Sequence, residues 1–389
     1  MEGHVTIVGG GLGGLTAAIA AREAGWEATV LEATAALGGR ARTMARPYRA
    51  NWGPHVIYSD GPLWAWLDER DLTRPYRRVP WLSRPSFRVD STRCTVPPLR
   101  AVRAMLRLLS PKHEAPVERS FMEWAASVVG DREAAQVSSF MGVATFDHDP
   151  GRLSAAFVHE RLRRATTVPP TVRYIEGGWS SLADRLAAHA RRLGAVVEIN
   201  AKVDRLPEAP VVLAVPLAAA RRLLDDDTVA WTGTRTVLLD VAMRRRRRDP
   251  FFVSDFDESG WAETYSQADT TLAPRGEQLV QAQKGLRPGE DLDHGVARVE
   301  QLLDAGYPGW RERETWRRRA RVVDESGALD LPGTTWRDRP ALDRGDGIFL
   351  VGDMVAAPGL LSEVTNQSAV AAVSALTGAQ VGLVTTDVR

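Results

Sequence analysis

The residues with the clearest chemistry are three glycines and one acid near the start of the chain. Gly9, Gly11 and Gly14 form the pattern Gly-x-Gly-x-x-Gly after an apolar run, and Glu32 follows about 20 residues later. Gly9 permits a tight turn, Gly11 lets a pyrophosphate approach the backbone, and Gly14 permits close strand–helix contact. A carboxylate at Glu32 accepts hydrogen bonds from ribose hydroxyls and repels a 2′-phosphate. The pattern therefore predicts a dinucleotide site that favours FAD or NAD over NADP.

These four residues need two strands and a helix to position them. We expect a strand over residues 4–8, a helix over 12–23 and a second strand over 27–32. Leu12 begins the helix, whose N-terminal N–H groups and dipole then face the phosphates. Gly25 ends the helix in a left-handed turn. These flanks favour a ligand site over the alternative, a glycine-rich turn that binds nothing.

Two further motifs extend the pattern to both ends of the chain. Gly39-Arg40 follows the acid, and Gly352-Asp353 ends an apolar run near the C-terminus. The combined pattern resembles the flavoprotein superfamily of amine oxidases, protoporphyrinogen oxidases and phytoene desaturases. This resemblance selects FAD as the cofactor. It implies an α/β fold with a discontinuous Rossmann-like FAD-binding domain and an α+β substrate domain that contains an antiparallel sheet.

The resemblance also implies roles for individual residues around the pyrophosphate and the adenine. Gly39 belongs to the turn that follows the acid, and Arg40 lies along the FAD pyrophosphate. Asp353, directly after Gly352, holds the ribityl or pyrophosphate part of FAD. The backbone of Val203 contacts adenine.

A helix near the C-terminus is expected to face the flavin. The sequence predicts it over residues 363–376, after a loop that ends near Leu361. By resemblance, the backbone at Leu361 and Val364 lies beside the pyrimidine edge of the flavin. A helix dipole aimed at that edge stabilises the negative charge of reduced flavin.

The FAD-binding domain is expected to be discontinuous, because the matching motifs lie at both ends and in the middle of the chain. We assign to it residues 1–75, 172–230 and 338–389. The insertions 76–171 and 231–337 form the predicted substrate-binding domain. The first insertion has a mainly helical pattern, whereas the second has the strand and turn spacing of an antiparallel sheet.

Four residues are candidates for the substrate cavity. His55, which follows Gly53, is placed to hydrogen-bond substrate or to act as a base, with a structural histidine as the alternative. Trp179 and Trp336 are candidates for aromatic walls, and both also suit a hydrophobic core. Lys284 loosely matches the lysine that holds a water near flavin N5 in amine oxidases; a surface lysine at a strand end is the alternative.

Composition restricts the partners. The chain has 389 residues, a formal net charge of +1 and 44% hydrophobic residues, which argues against a general nucleic-acid binder. The single cysteine, Cys94, excludes an internal disulfide and fits a reducing cytosol. Apolar runs are shorter than the ~18 residues of a membrane span, so we expect a cytoplasmic protein. The basic amphipathic segment 98–111 leaves peripheral membrane contact open. No metal site is predicted, since spaced His or Cys ligands are absent from the sequence.

The predicted function is an FAD-dependent oxidoreductase that takes a hydride from an organic small molecule. Residues 354–361 lack the aromatic side chain that amine oxidases place after Gly-Asp, which favours an apolar substrate and a phytoene desaturase-like enzyme. A flavin amine oxidase is the alternative, followed by a non-redox flavin isomerase or an FAD-stabilised binding protein. Oxygen, a quinone and a partner protein are all open as electron acceptors.

Overall fold

The computed structural model describes residues 3–53 and 56–381 and contains three β-sheets. The strands are β1 (His4–Val8), β2 (Glu27–Leu31), β3 (Ile57–Tyr58), β4 (Tyr76–Arg78), β5 (Pro85–Val89), β6 (Thr92–Cys94), β7 (Val172–Ile175), β8 (Val196–Glu198), β9 (Val211–Leu213), β10 (Gly233–Arg244), β11 (Phe252–Asp255), β12 (Gly260–Glu263), β13 (Glu277–Gly285), β14 (Glu314–Ala328) and β15 (Ile348–Leu350).

Helices cover the sheets and form a separate cluster between β6 and β7. They are α1 (Leu12–Glu23), α2 (Pro62–Asp68), α3 (Leu99–Leu108), α4 (Phe121–Val129), α5 (Asp131–Phe140), α6 (Gly142–Thr145), α7 (Ala155–Ala165), α8 (Trp179–Arg192), α9 (Leu217–Leu224), α10 (Tyr265–Ala268), α11 (Leu292–Gly306) and α12 (Ser362–Thr377). Within the described ranges, no helix is both long and apolar enough to cross a membrane.

A parallel five-stranded sheet collects strands from three distant parts of the chain. Its order is β15-β9-β1-β2-β8, and every neighbouring pair is parallel. Helices α1, α8 and α12 cover one face, where Ile7, Val30 and Ile19 are fully buried. Val211 and Leu213 belong to a second apolar cluster that includes residues of α9. The Rossmann-like part of the predicted fold is confirmed by this sheet.

The turn between β1 and α1 depends on two glycines in unusually close contact. Gly9 has a φ of +104°, and a Cβ there would lie 2.4 Å from the carbonyl oxygen of Ala214. A Cβ at Gly14 would lie 1.9 Å from the carbonyl oxygen of Gly9. Real Cβ atoms do not approach so closely, so α1 can lie against the end of β1 only without these side chains.

A seven-stranded sheet forms the second layer, in the order β14-β10-β13-β12-β11-β5-β6. Its neighbouring strands are antiparallel except β5 and β11, which run parallel. Along β10, Val237 and Leu239 pack against α11, while Thr236 and Leu238 face a large cavity. Side chains alternate between the faces of a strand, so one face forms core and the other lines the cavity.

The structure corrects the predicted secondary structure in three places. Residues 85–94, which the sequence analysis included in a mainly helical insertion, form β5 and β6 at the edge of the seven-stranded sheet. Helix α7 and the 15-residue strand β14 were also not predicted from the sequence. In addition, β3, β7 and β4 form a small antiparallel sheet that the sequence did not predict.

We expect Gly14→Ala to destabilise the fold by more than about 2 kcal/mol, because the new methyl group must displace backbone rather than a flexible side chain. Gly11→Ala is the matched control, since a Cβ at Gly11 would have no atom nearer than 3.9 Å. Urea unfolding of the two variants, both freed of any bound dinucleotide so that cofactor loss does not contribute, measures the difference. Equal free energies of unfolding for both variants would contradict the close-contact argument.

Candidate functional site

A cavity of about 1670 Å³ lies between the parallel sheet and the seven-stranded sheet. It begins at the glycine turn after β1 and continues to the cavity-facing side chains of β10, β12 and β13. Typical pockets for one small molecule are about 300–1,000 Å³. The cavity therefore has room for a dinucleotide and a second molecule together.

Glycine backbone forms one wall of this cavity. Gly9, Gly11, Gly39 and Gly352 all line it, together with Leu12 at the start of α1. A Cβ at Gly352 would have no atom within 4 Å, and one at Gly11 would be almost as free. Their missing side chains thus leave space in the cavity itself, as a closely approaching phosphate requires. Gly14 differs from these residues, because it serves the contact with β1 and does not line the cavity.

Glu32 lies just beyond β2 and holds the glycine turn in place. Its Oε2 accepts a hydrogen bond from the backbone N–H of Gly10 at 2.8 Å. Its Oε1 accepts from the backbone N–H and the hydroxyl of Thr34 at 2.9 and 2.8 Å. Three donors occupy three of the roughly four acceptor positions of a carboxylate. One acceptor position therefore remains for a ribose hydroxyl at the cavity wall, which Glu32 also lines.

Arg40 and Asp353 join the two ends of the chain across the cavity. Arg40 Nη1 and Nη2 donate to Asp353 Oδ2 and Oδ1 at 3.0 and 2.7 Å, and the backbone N–H of Gly327 donates to Oδ2 at 2.9 Å. Burial alone would raise the pKa of Asp353, but Arg40 and the Gly327 N–H outweigh it and hold that pKa below its ordinary value. Asp353 is therefore ionised, and it accepts hydrogen bonds from the side chain of Arg40 and from the backbone of β14.

The N-terminus of α12 reaches the cavity through Leu361. Leu361 has a φ of +52°, which is rare for a bulky residue, and it lines the cavity where the helix begins. The side chain of Val364 is buried in the core, and its N–H donates to the carbonyl of Leu361 at 3.1 Å; its predicted backbone role beside the flavin stays a prediction. Val203, the residue expected to face adenine through its backbone, does line the cavity.

A carboxylate that the sequence analysis missed shares the N-terminus of α12. Glu363 is buried, accepts from the N–H of Leu360 at 3.0 Å and is paired with Arg164 at 2.7 Å. Burial raises the pKa of Glu363 above its usual range, although Arg164 opposes this shift. Glu363 therefore places a carboxyl group at the start of α12, where it bonds the backbone just before the helix.

Aromatic side chains enclose the end of the cavity that lies against the seven-stranded sheet. Phe252 and Trp261 stack there with ring centroids 4.6 Å apart and an interplanar angle of 15°. The rings themselves suit the apolar part of a molecule, while arginines of β14 line the neighbouring part of the cavity. Its aromatic members are Phe87, Phe140, Phe146, Tyr174, Phe251, Phe252, Phe256, Trp261 and Tyr265.

Glu263 is a buried acid within this aromatic wall. The hydroxyl of Tyr174 donates to its Oε1 at 2.5 Å, and Trp261 Nε1 donates to its Oε2 at 3.1 Å. Burial raises the pKa of Glu263 to about 7, although both hydrogen bonds lower it. An acid that titrates near neutral pH is suited to hold or accept a proton.

In the sequence, Glu263 can be identified from the alternation of side chains between the two faces of β12. Trp261 and Glu263 are two residues apart, so both face the cavity while Ala262 faces the core. A second missed residue is Gln283 on β13. It is buried and lines the cavity, and neither of its amide atoms has a hydrogen-bond partner among the described residues.

Two of the predicted substrate residues lie elsewhere. Lys284 is fully buried on the face of β13 opposite Gln283, where Nζ is 2.6 Å from Asp255 and 3.0 Å from Glu258. It is therefore a structural ion-pair residue and neither a flavin neighbour nor a surface lysine. Trp336 lies beneath the guanidinium of Arg337 beside a separate cavity of about 110 Å³.

The other two residues predicted for the substrate cavity are Trp179 and His55. Trp179 lies at the start of α8, is almost fully buried and lines the large cavity, and its backbone N–H donates to Asn51 Oδ1 at 3.1 Å. It is thus both a core residue and part of the wall. His55 lies outside the described residues.

Comparisons with known proteins agree with this geometry. Residues 7–70 match the family model described as an NAD(P)-binding Rossmann-like domain. An oxidoreductase from Methanosarcina mazei aligns with a TM-score of 0.77 at 17% identity, covering 95% of this chain and 99% of that one. Cyclohexylamine oxidase from Brevibacterium oxydans gives 0.73 at 14% identity, covering 97% and 99% of the two chains. Reduced UDP-galactopyranose mutase gives 0.70 at 13% identity, covering 97% and 95%. No curated protein matches the sequence.

These likenesses establish the fold. The chain matches a Rossmann-like dinucleotide-binding model over residues 7–70 and has, over nearly its whole length, a fold similar to that of cyclohexylamine oxidase. The predicted α/β fold with an antiparallel-rich second sheet is confirmed, and the predicted resemblance to the amine oxidase superfamily is confirmed at the level of the fold.

The raised pKa of Glu263 predicts a specific dependence of stability on pH. The folded protein holds a proton on Glu263 up to about pH 7, whereas the unfolded chain releases it near 4.5. The folded state thus binds more protons in this window, so this contribution to stability falls as pH rises from about 4.5 to 7.

We expect the free energy of unfolding of wild type, relative to Glu263→Gln, to fall by about 2–3 kcal/mol between pH ~5 and pH ~8. Urea unfolding at several pH values measures this difference, and the other titrating groups cancel between the two proteins. Parallel pH profiles would show that Glu263 titrates normally.

Proposed function

We propose that the protein is an FAD-dependent oxidoreductase that takes a hydride from an apolar organic small molecule. The observation that carries this proposal is the continuity of the large cavity. It connects glycine backbone at the edge of the parallel sheet with the aromatic wall on the seven-stranded sheet. A dinucleotide held at the first end would extend toward a small molecule held at the second.

The residues at the first end fit FAD. Gly11 and Gly352 leave open space where a Cβ would otherwise lie. Glu32 retains acceptor capacity for a ribose hydroxyl, and Arg40 with Asp353 supplies charged groups for the pyrophosphate and the ribityl chain. We retain the proposed division into a FAD-binding domain (1–75, 172–230, 338–389) and a substrate-binding domain (76–171, 231–337).

Bound FAD would supply the hydride acceptor, and the protein supplies position and environment. The aromatic wall excludes water and holds the substrate by its apolar surface. With a pKa of about 7, Glu263 can hold or release a proton near neutral pH, and it accepts hydrogen bonds from Tyr174 and Trp261. It is therefore the side chain placed to exchange a proton with a polar group of the substrate.

A flavin amine oxidase is the second candidate function. Glu263 among Tyr174, Trp261 and Tyr265 forms a carboxyl group within aromatic rings, an arrangement that binds cationic groups. The fold is also shared by cyclohexylamine oxidase. Against this, an acid with a pKa of about 7 is only half ionised at neutral pH and has no fixed negative charge for an ammonium group.

A non-redox reaction is the third candidate, since UDP-galactopyranose mutase has the same fold at low identity. A nucleotide-sugar substrate carries two phosphates. The wall around Phe252 and Trp261 is aromatic, whereas Arg161 and Arg318 line other parts of the same cavity. The rings of that wall suit an apolar molecule better than a sugar, which favours the oxidoreductase.

Loss of FAD in selected variants tests the cofactor site. We expect Gly11→Ala and Asp353→Ala to lose most of their FAD while keeping the fold, because each removes space or charge at the cavity wall. Flavin absorbance per protein after purification is the measurement. The control is Arg132→Ala, because Arg132 forms an exposed ion pair with Asp90 and neither residue lines the cavity. Wild-type flavin content in both site variants would remove these residues from the site.

Anaerobic reduction tests the redox function and separates the candidates. Apolar alicyclic compounds, primary amines and nucleotide sugars are added in turn to the oxidised holoenzyme, and the visible flavin absorbance is followed. We expect bleaching by an apolar compound at a rate that Glu263→Gln alters in its pH dependence. Bleaching by amines alone would favour the amine oxidase, and catalytic conversion without bleaching would favour the isomerase.

A further inference from the structure

Arg161 is a buried cation in the wall of the large cavity. It lies on α7 and is 4% exposed. It lines the cavity beside Tyr58, Ala165 and Val168. The proposed hydride transfer to FAD gives this residue no role.

The guanidinium of Arg161 has little compensation from the protein. Nη1 donates to the carbonyl of Phe157 at 3.0 Å, and the guanidinium carbon lies 3.3 Å from the centroid of the Phe157 ring. Among the described residues, Glu160 is the only carboxylate within 4.0 Å. It lies at 3.9 Å, and its side chain is 41% exposed. The other N–H groups of Arg161 have no partner among the described residues.

The two other arginines that are buried in the described part of the chain are each paired with a carboxylate. Arg313 contacts Asp249 through two hydrogen bonds of 2.6 and 3.1 Å, and Arg339 contacts Asp330 through two of 3.0 and 2.8 Å. These pairs are bidentate, which satisfies the planar fork of the guanidinium. Arg161 therefore lacks the bidentate carboxylate partner that Arg313 and Arg339 each have.

Neighbouring groups do not neutralise Arg161 either. Burial lowers the pKa of Arg161 to about 10, so it remains a cation at neutral pH. Burial raises the pKa of Tyr58 to about 12, so this neighbour is a neutral phenol. Arg164, one turn further along α7, pairs with Glu363 and Asp60, and Asp330, whose charge also acts on Arg161, is itself paired with Arg339. A buried charge without a partner destabilises a fold, so its presence beside a cavity indicates a ligand.

We propose that Arg161 binds the carboxylate of a ring-bearing, otherwise apolar substrate. This proposal rests on the proposed function and narrows its substrate class. A carboxylate matches the guanidinium fork with two parallel hydrogen bonds, and it supplies the one negative charge that the site lacks. The aromatic wall of the same cavity then receives the apolar body of the molecule.

Isothermal calorimetry with paired probes tests this proposal. Benzoate, 2-naphthoate and indole-3-acetate are compared with their neutral amides on the purified holoenzyme. We expect at least one acid to bind at least about tenfold more tightly than its amide, as a charged hydrogen bond requires. Arg161→Gln should abolish this preference. Arg163→Gln is the matched control, because Arg163 is an exposed arginine on the same helix.

Thermal stability separates a ligand anchor from a structural arginine. We expect Arg161→Gln without ligand to melt at or above the wild-type temperature, because it removes an uncompensated buried charge. Arg161→Lys should keep part of the preference for acids. If no acid binds wild type more tightly than its amide does, or if Arg161→Gln keeps the preference, the proposal is wrong.

The same samples distinguish this outcome from failure of the proposed function. Calorimetry does not depend on flavin chemistry, and the flavin content of each sample is known from its absorbance. Acids that bind through Arg161 in a protein that never reduces its flavin would leave the carboxylate site standing and remove the redox function. Flavin reduction by neutral compounds alone, with no preference for acids, would support the redox function and contradict the carboxylate site.

Discussion

Parallel pairing of β1 with β2 and β9, and of β9 with β15, is the constraint on which the site depends. Parallel strands direct all their carboxyl ends to one edge of the sheet. Glu32 follows β2, and Asp353 follows β15, so residues from distant parts of the chain meet there. The close contact of Gly14 with Gly9 then fixes the first helix against that edge. Every contact that would hold the cofactor follows from this alignment.

The elements that the sequence predicts well are those whose signals are local. The strand over 4–8 and the helix over 12–23 have the predicted bounds, since glycines mark their ends and apolar residues fill them. Lys284 was assigned wrongly because a shift of one residue along a strand moves a side chain to the opposite face. Gln283, its neighbour, faces the cavity instead. Strand β14 escaped prediction because arginines recur through it and resemble a solvated segment.

The two sides of the cavity differ in how they achieve specificity. At the parallel sheet, backbone groups and one bidentate ion pair, Arg40 with Asp353, form the wall, and their motifs are visible in the sequence. At the seven-stranded sheet, apolar rings surround a few isolated polar groups such as Glu263 and Gln283. Isolated polar groups have no sequence motif, since tertiary structure alone brings them together. For this reason the sequence predicts the class of cofactor, whereas a proposal about the class of substrate has to start from the structure.

The ion pair between Arg40 and Asp353 spans 313 residues of chain. During synthesis, the glycine turn and Arg40 leave the ribosome long before β15 and Asp353 exist. The parallel sheet likewise lacks β9 and β15 until most of the chain has been made. Contacts so distant in sequence form slowly and expose apolar strands in the meantime. The parallel sheet and the ion pair of Arg40 can therefore be completed only after translation has reached β15, which is among the last parts of the described chain.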